Sequence, residues 1–163
     1  MKKNLFFILV SCLLAVYPLS QKEFVDNPIS QEFKRGNYLI VLGGSGLQSS
    51  LQNPSADFVK FKKSQGYDVE VVNYPDIASN QNELRDWLES YSNSHPLLEY
   101  VLLVGDLTGS FTIPSHIINS YNDDSYPLDE TDYPYTFFSS DELYEPRFFI
   151  GRWSVQSAAE LLS

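Results

Sequence analysis

Strand-like stretches alternate with segments of helical periodicity between residues 38 and 163. Tyr38–Leu42 and Tyr100–Val104 are continuous apolar runs, which are typical of strands buried on both faces of a parallel sheet. Tyr67–Asn73 and Leu143–Ile150 are the other two predicted strands, the latter centred on residues 147–150. This alternation predicts an α/β fold in which helices flank a parallel sheet.

Three helices are predicted around these strands. The first begins with Asn53 as its N-cap and ends at Gly66. The second runs from Asn80 to Ser90, and the last begins at Ser154. The second helix has apolar residues at i, i+3, i+4 and i+7, which are Leu84, Trp87, Leu88 and Tyr91. This spacing predicts one apolar face that packs on the sheet.

Residues 1–20 have the composition of a secretory signal peptide. Lys2 and Lys3 precede an apolar run, Leu5–Tyr17, that is interrupted only by Ser11. The run is too short to span a bilayer, so we expect a secreted, cell-surface or periplasmic protein without a stable membrane span. Residues 21–37 are predicted to be a lead-in to an α/β subdomain at residues 38–163.

Cys12 is the only cysteine, and it lies within the predicted signal peptide. The pattern Leu9–Cys12 also resembles a lipoprotein box, which is an alternative use of this residue. A chain cleaved after the signal would have no thiol for a disulfide, a metal site or a nucleophile. The whole chain has 11 basic and 21 acidic residues, and this net charge of −10 argues against a nucleic-acid partner.

The acidic residues are concentrated in one part of the chain. No Lys or Arg lies between Arg85 and Arg147, and acidic residues crowd the second half of that interval. Clustered carboxylates suit Ca²⁺, which takes six to eight oxygen ligands, although the EF-hand spacing is missing. A solvated acidic loop is the alternative. The candidate calcium ligands are Asp123, Asp124, Asp129, Glu130, Asp141 and Glu142.

Polar and glycine residues follow the first and third predicted strands. Gly43–Gly46 lacks the glycine spacing of a dinucleotide loop, and Leu47 stands where a nucleophile elbow needs Gly, so we predict a tight turn. Asp106 follows the third strand, at the sheet edge where α/β proteins bind ligands, or it is a turn residue. His116 is a candidate base without an evident nucleophile, and His95 is predicted to be a surface residue.

Several motifs together resemble the gingipain family of secreted cysteine peptidases. They are YVLLVGDLTGSFTIPS at Tyr100–Ser115, TDYPYT at Thr131–Thr136, and FIGRWSVQSAAEL at Phe149–Leu161. The helix–Gly–strand joint at Phe61–Tyr67 also matches. The resemblance covers Tyr38–Ser163 and implies a caspase-like α/β fold with two subdomains, of which this chain resembles the first.

The resemblance implies that the full-length protein hydrolyses protein or peptide substrates. The family's catalytic His, in a Gly-His-Gly context, and its catalytic Cys belong to the second subdomain, and neither motif occurs here. We therefore expect a fragment of a longer peptidase that is inactive alone. By resemblance, Asp132 lies at the floor of the specificity pocket and selects Arg or Lys, and the family also binds structural Ca²⁺. A non-catalytic secreted module or pseudo-peptidase is the alternative.

Overall fold

The computed structural model describes residues 34–119, 128–138 and 145–162. The predicted signal peptide, with Cys12, and most of the predicted lead-in lie outside the described residues. So do four of the six candidate calcium ligands, which are Asp123, Asp124, Asp141 and Glu142.

Four parallel strands form the central sheet, in the order β2-β1-β3-β6, and two antiparallel strands form a separate hairpin, β4-β5. This arrangement confirms the predicted α/β fold with a parallel sheet. The strands are, in chain order, β1 (Asn37–Leu42), β2 (Asp68–Asn73), β3 (Leu98–Val104), β4 (His116–Asn119), β5 (Leu128–Thr131) and β6 (Phe149–Trp153).

Four α-helices connect the first three strands: α1 (Gln48–Leu51), α2 (Phe58–Ser64), α3 (Tyr74–Ile77) and α4 (Gln81–Ser94). Single 3₁₀ turns occur at Ser45–Leu47, Tyr133–Tyr135 and Glu160–Leu162. None of the helices in the described part of the chain is long and apolar enough to cross a membrane.

Helix starts depend on which polar side chain can cap the free N–H groups of the first turn. The predicted start of the first helix at Asn53 is wrong, because Asn53 accepts a hydrogen bond from Ser55 N within a turn. Asp57 caps α2 instead, accepting from Lys60 N at 2.8 Å. The predicted start of α4 is confirmed, since Asn80 Oδ1 accepts hydrogen bonds from Asn82 N and Glu83 N.

Apolar side chains cover the sheet on both faces. One buried cluster joins Leu39 and Leu103 of the sheet to α4, whose buried residues Leu84, Leu88 and Tyr91 lie at the predicted spacing. The opposite cluster joins Ile40 and Val104 to α1 and α2. Continuous apolar strands are the expected consequence of burial on both faces.

The last part of the fold departs from the prediction. The fourth sheet strand is Phe149–Trp153, because its pairing with β3 starts at Tyr100 opposite Phe149. The predicted strand overlaps it only at residues 149–150, and the first two residues of that prediction lie outside the described residues. Pro146 lacks an N–H and cannot take part in that ladder as a donor. After Ser154 the described chain forms only the 3₁₀ turn at Glu160–Leu162, and the hairpin β4-β5 was not predicted.

Candidate functional site

The strand order reverses between β1 and β3. The chain passes from β1 to β2 on one side and then returns to place β3 on the other side of β1. In an open α/β sheet, this reversal leaves a crevice outside the carboxyl ends of the two strands, and ligands commonly bind there. Residues Gly43–Gly46 after β1 and Gly105–Thr112 after β3 border that crevice.

Phe111 occupies the crevice. A Cβ atom on Gly43 or on Gly105 would lie 2.4 Å from the Phe111 carbonyl oxygen, and one on Gly46 would lie 3.2 Å from its ring. The same carbonyl accepts a hydrogen bond of 3.1 Å from Asp106 N. The glycines are therefore needed to admit the β3–β4 loop, which agrees with the tight turn predicted at Gly43–Gly46.

Asp106 lies at the carboxyl edge, as its position after β3 predicts. Its carboxylate accepts from Leu107 N at 2.8 Å and from the side-chain amide of Gln156. The hydrogen bond from Gln156, then that from Leu107 and the nearby charge of Arg152, lower the pKa of Asp106 below its ordinary value. Asp106 is thus an ionised residue that joins the β3–β4 loop to the segment after β6.

Asp132 follows β5 and forms an ion pair with Arg152 of β6. Arg152 Nη2 lies 2.7 Å from Oδ1, and Nε lies 2.8 Å from Oδ2, so the guanidinium engages both carboxylate oxygens. The side chains are only 11% exposed for Arg152 and 18% exposed for Asp132. A bidentate pair of this kind combines charge with fixed geometry and is among the stronger polar interactions in proteins.

The predicted role of Asp132 as a specificity acid stays a prediction. The structure places its carboxylate near the carboxyl edge of the sheet, where that role requires it. In the same structure, a guanidinium of the chain itself already binds the carboxylate. A substrate Arg or Lys would therefore compete with Arg152 for the same oxygens.

Arg85 is a second arginine that fixes the segment after β5. From α4, its Nε donates to Pro134 O and its Nη2 donates to Phe137 O, both at 3.0 Å. Its guanidinium also lies 5.9 Å from the ring centres of Phe137 and Phe138. Arg85 therefore holds the 3₁₀ turn Tyr133–Tyr135 and the residues after it against α4.

His116 begins β4 and packs edge-to-face on Tyr135, with ring centres 4.8 Å apart. Its Nε2 atom is buried and has no hydrogen-bond partner. Burial, then the charge of Arg85, lower the pKa of His116 below 6.5, while Asp132 opposes this effect. In the described part of the chain, His116 is therefore a neutral, packed imidazole that is not hydrogen-bonded to a nucleophile.

The remaining candidate residues in the described part of the chain are His95, Asp129 and Glu130. His95 directly follows α4 and is half-buried rather than fully exposed, because its ring stacks on Tyr91 at 4.0 Å and its Nδ1 lies 3.0 Å from Ser94 Oγ. Asp129 and Glu130 are exposed on β5. Within residues 34–119, 128–138 and 145–162, no three His, Cys, Asp or Glu side chains are grouped so as to hold a metal ion.

Sequence reasoning missed the role of Arg152. The available signal was a charged residue inside a strand that pairs with the buried β3, since such a residue needs a partner. The position of Phe111 was also not predicted, because no sequence pattern shows that this loop residue packs against the glycine turn Gly43–Gly46.

A family model, Peptidase family C25, matches residues 31–163 of the chain. This match covers most of the chain, so the chain belongs to peptidase family C25, the gingipain family. The predicted resemblance is thereby confirmed. No curated protein sequence matches the chain.

Solved structures agree with this assignment. A complex of the pro- and mature domains of Porphyromonas gingivalis RgpB matches with 26% identity and a TM-score of 0.62 over 78% of this chain. The Arg-specific cysteine proteinase gingipain R matches with 29% identity and a TM-score of 0.57 over 81% of this chain. A third structure, described as a protease, is 18% identical with a TM-score of 0.60 and supports the fold alone. This chain spans 27% of the length of each of these relatives.

Proposed function

We propose that this chain is the N-terminal part of a secreted gingipain-type cysteine endopeptidase. The observation that carries the proposal is the match to family C25 over residues 31–163, together with 26% and 29% identity to gingipain structures of the same fold. The catalytic His and Cys would come from a second subdomain outside these 163 residues. Secretion is supported by the signal-like composition of residues 1–20.

In this proposal, the described residues serve as a scaffold rather than as the reacting groups. Cysteine peptidases need a thiolate and a base within hydrogen-bond reach. The sequence has one cysteine, Cys12, which lies in the predicted signal peptide. The sheet would instead support the second subdomain and present the hairpin β4-β5 beside the substrate.

The substrate class is a protein or peptide. Gingipain R is described as Arg-specific, and this supports a preference for Arg before the scissile bond. If Asp132 selected that Arg, as the resemblance implies, Arg152 would have to release one or both of the carboxylate oxygens when substrate binds. A non-catalytic secreted module remains the alternative, and it is favoured if the longer reading frame lacks Gly-His-Gly followed by a Cys.

The test is to produce the longer protein encoded by the same reading frame and to compare it with the 163-residue chain. Both are assayed on fluorogenic peptides with Arg, Lys or a neutral residue before the scissile bond, with and without a thiol-alkylating reagent. We expect cleavage by the longer protein that alkylation abolishes, and no cleavage by the chain alone. If the pure 163-residue chain cleaved a peptide and alkylation abolished that cleavage, the catalytic His and Cys would not be confined to the second subdomain, and the proposal would be wrong.

A further inference from the structure

We propose that Asp132 and Arg152 form a closed internal clasp, a positioning pair that fixes the hairpin β4-β5 to the sheet and leaves Asp132 unavailable to substrate cations. The clasp itself is argued from contacts within this chain. Its consequence for cleavage specificity rests on the proposed peptidase function.

Each nitrogen of the Arg152 guanidinium donates hydrogen bonds to other groups of the chain. Nε and Nη2 bind the two oxygens of Asp132, and Nη2 also donates to Pro114 O at 3.3 Å. Nη1 donates to Ile113 O at 2.8 Å and to Gly105 O at 3.3 Å. A guanidinium has no further N–H group beyond those five, so Arg152 keeps no donor for a ligand.

These contacts join four separate segments at one point. Arg152 belongs to β6, Gly105 follows β3, Ile113 and Pro114 precede β4, and Asp132 follows β5. A two-stranded hairpin is only marginally stable alone, so its placement depends on such contacts at its base. Both ends of the hairpin β4-β5 are therefore tied to the sheet through one side chain.

Tyr135 strengthens the clasp from the hairpin side. Its hydroxyl donates to Pro114 O at 2.7 Å, the same carbonyl that Arg152 contacts, and its backbone N–H donates to Asp132 O at 3.0 Å. The Tyr135 side chain is fully buried. The loop before β4 and the turn after β5 are thus held together independently of any ligand.

A substrate cation would bind Asp132 only at the expense of this arrangement. Displacing Arg152 would leave a poorly exposed guanidinium without its carboxylate, and two cations would then share one anion. An unpaired charge in such a place is strongly unfavourable. The geometry thus explains Asp132 as the partner of Arg152 rather than of an incoming Arg.

The first experiment is a double-mutant cycle on the 163-residue chain, using Asp132→Asn, Arg152→Gln and both together. We expect each single change to lower the melting temperature by roughly 10 °C, and the double variant to melt no lower than Arg152→Gln alone. Arg152→Lys should not restore the stability of the parent, because an ammonium group cannot form the bidentate pair that a guanidinium forms with a carboxylate. Asp86→Asn, at an exposed carboxylate of α4, is the control and should melt like the parent. If the losses of melting temperature in the two single variants added up in the double variant, Asp132 and Arg152 would act independently and the proposal would be wrong.

The second experiment uses the unmodified chain, so it does not depend on any variant folding. The Nε–H proton of Arg152 should give a slowly exchanging NMR signal, and N-acetyl-arginine amide should leave that signal in place at millimolar concentrations. Saturable binding of this amide with loss of the signal would overturn the proposal and support a substrate pocket at Asp132.

The third experiment separates this proposal from the proposed function. In the active longer protein, Asp132→Asn should lower kcat/KM by the same factor for peptides with Arg and with a neutral residue before the scissile bond. A loss confined to the Arg peptide would overturn the clasp. An inactive longer protein would contradict the proposed peptidase, while the NMR result on the chain would still decide the clasp.

Discussion

The carbonyl oxygen of Phe111 lies 2.4 Å from the position that a Cβ atom would take on Gly43. This contact places a loop of β3–β4 directly over the turn that follows β1, at the reversal of strand order. Because that crevice is the usual ligand site of an open α/β sheet, the contact matters for function. In this chain, the crevice between β1 and β3 is used for packing.

Replacing Gly43 with Ala should lower the free energy of unfolding by about 1–3 kcal/mol, because the added methyl group forces the Phe111 loop to move. Gly151→Ala is the control, since a Cβ atom there would meet nothing within 4 Å. The control should stay within about 0.5 kcal/mol of the parent. Urea denaturation measures both, and equal effects at the two glycines would show that the Phe111 contact is not formed.

Arg85→Met should destabilise the chain by about 2 kcal/mol. The change keeps an unbranched side chain but removes the donors to Pro134 O and Phe137 O, and hydrogen bonds from a charged group are worth about 1.5–3 kcal/mol. Lys60→Met, at an exposed position of α2, is the matched control and should have little effect. Chemical denaturation of the two variants is the measurement. A variant at Arg85 as stable as the one at Lys60 would contradict the role given to Arg85.

The sequence was sufficient to predict the core of the fold where local pattern and tertiary packing agree. Continuous apolar runs predicted β1 and β3 because both strands are buried on both faces. Asn80 and the spacing of Leu84 and Leu88 predicted α4, since Asn80 is its N-cap and the buried residues follow the helical period. The position of Asp106 at the carboxyl edge followed from its place directly after β3.

The remaining features depend on contacts between distant residues. The strands of the hairpin β4-β5 have only four residues each, and the two neighbouring isoleucines of β4 do not alternate with polar residues, so no strand pattern is evident. The pairing of Asp132 with Arg152 joins positions 20 residues apart in two different elements, and only the fold brings them together. The start of β6 is likewise set by its register with β3 rather than by its own composition.

Millimolar Ca²⁺ should raise the melting temperature of the chain if the acidic stretch binds the ion as predicted. Stabilisation follows RT ln(1 + [L]/Kd), which is about 2.7 kcal/mol at a hundredfold excess over Kd. Asp129→Asn combined with Glu130→Gln should reduce the effect if these exposed carboxylates take part. Melts with Ca²⁺, with chelator, and with Na⁺ at equal ionic strength are compared. The same melting temperature in Ca²⁺ and in Na⁺ would reject a specific site.

The stability of the chain should decrease between pH 8 and pH 5.5 through His116. Burial first, and then Arg85, lower the pKa of His116 below 6.5, so the folded state keeps the imidazole neutral while the unfolded state binds a proton. The contribution of neutral His116 to the free energy of unfolding is therefore fully present above pH 6.5, and it is lost progressively as the pH falls below that value.

The measurement is thermal unfolding of the parent, His116→Gln and His95→Gln from pH 8 to pH 5.5. Other groups contribute to the pH dependence as well, so the informative quantity is the difference between the parent and each variant. The advantage of the parent over His116→Gln should narrow as the pH falls, because only the parent carries the imidazole that must stay neutral. His95→Gln retains His116, and it should follow the parent. A constant difference between the parent and His116→Gln at every pH would mean that folding does not change the proton affinity of His116.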